Sequence, residues 1–63
     1  MTIKAVFTGK DSMGYENGYP YVLKVSNNRG MDISRIDGTG KCSYQSLSSF
    51  LKNWSSIKVE KIN

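Results

Sequence analysis

Few residues in this chain could do chemistry. Cys42 is the single cysteine and histidine is absent. A thiolate–imidazole nucleophile, an intramolecular disulfide and the usual zinc site are therefore all excluded. The carboxylates Asp11, Glu16, Asp32, Asp37 and Glu60 fall at no spacing that pairs an acid with a base. The expectation is a non-enzymatic chain with no metal and no cofactor. Gly9-Lys10-Asp11-Ser12-Met13-Gly14 comes nearest to a ligand motif. Its glycines could let backbone amides cradle an anion, but the Gly-Lys-Ser/Thr order and following helix of a phosphate loop are missing. The structural reading is a loop whose Met13 tucks over the edge of the core. Cys42 reads as a small buried hydrophobe.

Recognition is the remaining option. Tyr15 and Tyr19 are rigid amphipathic rings beside that loop and suit a protein partner, with plain packing as the alternative. Tyr21 shares a strand face with Leu23 and belongs to the core. Nine Lys and Arg against five Asp and Glu give a net charge of +4, which favours an anionic partner, although the cations stand singly and form no linear cluster. Stacking on Tyr15 or Tyr19, with Lys10, Lys24, Arg29 and Arg35 along phosphates, makes single-stranded nucleic acid the alternative partner. Asp11, Glu16, Asp32 and Asp37 in the same segments oppose it. The candidate partner-binding residues are Lys10, Met13, Tyr15, Tyr19, Arg29 and Arg35.

The elements that must position these residues are short. A chain of 63 residues is one domain, 1–63, and buries only about 60% of its unfolded surface, so a homodimer would be a natural supplement. Ile3, Ala5 and Phe7 alternate with Lys4 and Val6 as a strand with one buried face. Residues 10–18 form a long loop ending in the Asn17-Gly18 turn. Tyr21, Leu23 and Val25 mark a second strand, with Pro20 at its start or on an edge. Residues 26–30 close a hairpin, and residues 31–36 return with Ile33 inward. Residues 37–40 turn tightly into a strand at 41–44. Leu47, Phe50, Leu51 and Trp54 then fall at i, i+3, i+4 and i+7, which predicts a helix over 46–54 with one apolar face. Ser43 or Ser46 caps it and Asn53 ends it in the left-handed region. In the last strand Ile57 and Val59 share a face while Lys58 and Glu60 point out.

This order is mainly β and resembles a five-stranded SH3-like small barrel, with a long loop after the first strand and one short helix before the last. The apolar face of the helix would seal an open end. An OB-type barrel is the alternative, but would place the helix between the third and fourth strands. The N-terminal residues lack the pattern of a signal peptide, and no stretch approaches the ~18 apolar residues of a membrane span. The expectation is a soluble protein that does not engage membranes.

Two separated segments carry a further resemblance. Thr8-Gly9-Lys10-Asp11-Ser12-Met13-Gly14, followed by Gly18-Tyr19-Pro20-Tyr21, and the C-terminal run from Cys42 to Trp54 resemble short, uncharacterised proteins encoded by phages and prophages of Gram-positive bacteria. The shared patterns are a TGKDSMG loop and CxYxSLxxFLxNW. The resemblance covers both ends of the chain and hardly its middle. It implies a viral origin, a small barrel, a place in the host cytoplasm, and the role common to small phage proteins of this size. That role is to bind and modulate, usually inhibit, a host protein such as a defence component. It assigns no role to any residue.

Overall fold

The computed structural model describes residues 1–27 and 30–60. The order is β1 (Thr2–Phe7), β2 (Pro20–Asn27), β3 (Met31–Arg35), β4 (Cys42–Tyr44), α1 (Leu47–Leu51) and β5 (Trp54–Glu60). All five strands join one antiparallel sheet in the order β4-β3-β2-β1-β5. Pro20 opens β2, where its missing amide costs the ladder least. The expected barrel is not closed: β4 and β5 remain the two edges of an open sheet, and α1 lies between them, in contact with both.

The alternation read from the sequence fixes the inner face. Ile3, Ala5, Phe7, Leu23, Val25, Met31 and Ile33 are buried, and the register explains why they meet. Ile3 faces Leu23, Ala5 faces Tyr21, and Val25 faces Ile33. Residues directly opposite in an antiparallel pair share one face, so a single alternation per strand assembles one apolar surface.

The helix departs from expectation. It runs for five residues, Leu47–Leu51, with Ser46 as N-cap accepting from the Ser49 amide. Of its apolar stripe only Phe50 is buried, whereas Leu47 is 60% exposed and Leu51 49%. A helix of about one and a half turns can aim one residue at the core, and flanking positions have nothing above them. Trp54 is buried, but as the first residue of β5, opposite Phe7. Asn53 is not the left-handed residue; Ser56 is, with φ 52°. It lies where the β1–β5 register shifts between Lys4 and Val6, so an irregular strand replaces the expected helix end. Ile57 and Val59 are exposed, because β5 is an edge and among the described residues no element covers their side.

Trp54 is the hub of the core. Its ring lies 5.0 Å from Phe7, 5.1 Å from Tyr15 and 5.7 Å from Phe50, edge-on to the first two and stacked on the third. Its indole Nε1 donates to Tyr44 Oη at 3.0 Å. Burying rings of this size supplies roughly 1.5–3 kcal/mol each, which matters in so small a domain.

Candidate functional site

The loop between β1 and β2 is built rather than slack. Phe7 O accepts from the Gly18 amide at 2.6 Å, which draws the two ends together. Asp11 Oδ1 accepts from the Asn17 amide at 2.8 Å, and Asn17 Nδ2 donates to Gly9 O at 3.0 Å. The Glu16 amide donates to Tyr21 Oη at 2.8 Å. Asn and Asp suit this task because their short polar side chains can bond nearby backbone groups.

At the loop's tip the chain reverses in two residues. Ser12 and Tyr15 exchange both backbone hydrogen bonds, at 3.1 and 2.8 Å, and the residues between them have φ 54° at Met13 and φ 80° at Gly14. Positive φ at both central positions is the tight mirror-image turn that normally selects Asn, Asp or Gly. Gly14 meets that demand. Met13 does not, and a left-handed non-glycine residue costs about 1–2 kcal/mol. Its side chain stays 57% exposed. Met13 therefore does not tuck over the core: the turn directs it to solvent.

The turn sends Tyr15 inward instead. Tyr15 is 3% exposed, packs edge-on against Trp54 and Tyr21, and donates its hydroxyl to Gly40 O at 2.8 Å. The surface reading of Tyr15 is thus corrected: the reversal at Met13-Gly14 folds the ring onto Phe7 and Trp54. Burial pushes its pKa above the ordinary tyrosine value, with the Arg35 charge opposing.

Arg35 clamps the assembly. Its guanidinium carbon sits 4.3 Å from the Tyr15 ring centroid. Nη2 donates to Met13 O at 2.8 Å and Nη1 to Thr39 Oγ1 at 3.2 Å. Arg35 faces Leu23 across the β2–β3 ladder, so it shares the inner face and reaches the loop from beneath. Gly14 and Gly40 make room for it, since a Cβ at either would collide with the guanidinium. Arg35 is therefore a scaffold for the loop and not a free cation for a ligand. Thr39 is held in turn by Asp37, whose Oδ1 accepts from the Thr39 amide at 3.0 Å and hydroxyl at 2.6 Å. Those bonds hold the Asp37 carboxyl below its ordinary pKa.

Of the sequence-predicted site residues, the structure brings Lys10, Met13 and Tyr19 to the outside of this loop, Tyr19 at 58% exposure. Tyr15 and Arg35 lie underneath them. Arg29 falls outside the described residues. Beside the tip is a depression of about 320 Å³ whose lining includes Lys10, Met13, Tyr15, Cys42, Tyr44 and Asn53. Cys42 is only half-buried there, packed against the core, because β4 is an edge. Burial also raises the Tyr44 pKa.

The sequence contained the signal for Arg35. It stands two residues after Ile33 and four after Met31, in phase with the buried side of β3. Nothing local marks Tyr15 as core, because its burial follows from a turn that methionine does not advertise.

No family model matches this chain. No curated protein and no solved structure matches it either. Among the described residues no helix is long and apolar enough to cross a membrane, and no three His, Cys, Asp or Glu side chains gather as a metal site would require.

Proposed function

We propose that this chain is a non-enzymatic phage accessory protein, SH3-like in its strand order, that binds a host protein through the β1–β2 loop and inhibits it in the host cytoplasm. The carrying observation is Met13. A loop tied down by the Ser12–Tyr15 backbone bonds and by Arg35 holds residue 13 in the left-handed region and leaves its apolar side chain 57% exposed to solvent, where it packs on no core residue. Lys10 and Tyr19 flank it as polar and aromatic contacts, and the neighbouring depression offers a receptacle for a partner side chain.

Support for the SH3-like strand order is the connectivity: a long loop follows β1, β2 to β4 form a meander, and a helix precedes a last strand that returns to β1, although the sheet stays open. Support for the viral origin and host target is the two-motif resemblance alone. The nucleic-acid alternative asks for free cations beside exposed rings, whereas Arg35 and Tyr15 are occupied with each other.

Capture from a Gram-positive host lysate, with immobilised wild type beside Met13→Asn and Tyr19→Ser variants, tests this reading. One host protein should be enriched by the wild type and lost from both variants. Enrichment that ignores both substitutions would remove the loop as the binding surface. A salt-sensitive complex with single-stranded nucleic acid, absent at high ionic strength, would favour the alternative.

A further inference from the structure

β5 is an uncovered edge. Among the described residues it pairs with β1 on one side only, and beyond the irregularity at Ser56 it offers Ile57 to Glu60, where the opposite edge, β4, has three residues. An exposed edge strand is a template for another strand. Successive residues of a strand turn their amide and carbonyl groups to opposite sides. Phe7 N donates to Tyr19 O and Val25 N to Met1 O, so the odd-numbered residues of β1 bond β2. Thr2 and Lys4 consequently turn theirs to Glu60 and Lys58. Ile57 and Val59 are left offering theirs outward.

We propose that this edge joins two copies of the chain, β5 pairing antiparallel with β5 of a second copy about a two-fold axis at Val59. The charges select that register. With Val59 opposite Val59, Lys58 lies opposite Glu60 of the other copy, and the same pair repeats across the axis. It falls at a non-hydrogen-bonded position, where side chains approach closest. Shifting the axis to Lys58 sets Lys58 against Lys58, and shifting it to Ile57 leaves both charges without an opposite.

Two features of the single chain agree. Lys58 lies directly opposite Lys4 in the β1–β5 ladder, an unfavourable like-charge pair that Glu60 of a second copy would offset. On the other face Val59 is 65% exposed and, with Ile57, borders an apolar groove of about 400 Å³ that runs from this edge to Leu47, Val25 and Met31. The second copy extends this apolar surface across the axis. The interface is separate from the Met13 loop, so either can fail without the other.

Sedimentation equilibrium of the full chain over a wide concentration range tests the pairing. Wild type should show a monomer–dimer equilibrium. Lys58→Glu and Glu60→Lys, each alone, should weaken the dimer about tenfold. Mixing the two single variants one to one should restore it as a heterodimer, as should the double exchange in one chain. These side chains are exposed, and far-ultraviolet circular dichroism confirms that each variant is folded. Wild type that stays monomeric throughout would overturn the proposal. So would single variants that dimerise like wild type, or a mixture no tighter than its components.

Discussion

The Arg35 guanidinium sits over the Tyr15 ring, its carbon 4.3 Å from the centroid, while one of its nitrogens donates to the Met13 carbonyl at 2.8 Å. A core aromatic, a cation on the inner face of the sheet and the exposed tip of a loop are thereby one mechanical unit. Replacing Arg35 by Ala should cost about 1–2 kcal/mol, from the lost cation–π contact and hydrogen bonds. Lys should recover only part, since an ammonium lacks the planar face that stacks on a ring and the fixed fork that spans the Met13 and Thr39 acceptors. Urea denaturation of the three chains gives the ordering. Equal midpoints for wild type and Arg35→Ala would show that the clamp bears no load.

The raised pKa values of Tyr15 and Tyr44 set an alkaline limit. A phenol whose folded pKa exceeds its unfolded value stabilises the fold fully below the unfolded value, about 10. That contribution is lost as pH rises through the folded value. Tyr15→Phe removes one such group, together with the hydroxyl bond to Gly40 O worth about 1 kcal/mol. It should therefore be less stable than wild type at neutral pH and lose stability less steeply above pH ~10. At the acid end the sign reverses. Asp37, with its pKa lowered by Thr39, contributes above its unfolded value, and that contribution fades as pH falls through the folded one. Asp37→Asn should flatten the acid side of the stability profile and leave the alkaline side unchanged.

Phe50 and Leu47 belong to the same apolar stripe and should behave differently. Phe50 is fully buried and stacked 5.7 Å from Trp54, so Phe50→Ala should cost about 3–5 kcal/mol. A domain of this size has on the order of 3–9 kcal/mol in total, and the variant should be largely unfolded. Leu47→Ala, at an exposed position, should change stability by less than about 0.5 kcal/mol. Thermal melts of the two decide whether α1 seals the sheet with one residue or with its whole face.

The contrast between these residues also shows how far the sequence could be read. Alternation placed Ile3, Ala5, Phe7, Leu23, Val25 and Ile33 on the inner face, since a period of two admits one solution per strand. The helical period was equally clear in Leu47, Phe50, Leu51 and Trp54. It misled because periodicity states which residues share a face, not whether anything covers that face. Tyr15 and Met13 exchanged places for a related reason. A reversal between Ser12 and Tyr15 decides which side chain points inward, and Met13-Gly14 is spelled like no preferred turn. Arg35 was in phase with the core of β3, yet its charge invited a surface reading.

Met13 couples a left-handed backbone, which the turn onto Tyr15 requires, to an exposed thioether, which the fold does not use. Asn accepts the left-handed region and lacks the thioether. The most direct measurement is therefore the unfolding free energy of Met13→Asn together with its capture of the host protein. Met13→Asn should be at least as stable as wild type, by up to about 1 kcal/mol, and should lose the capture. A Met13→Asn chain that is clearly less stable, or that captures the same protein as well as wild type does, would contradict it.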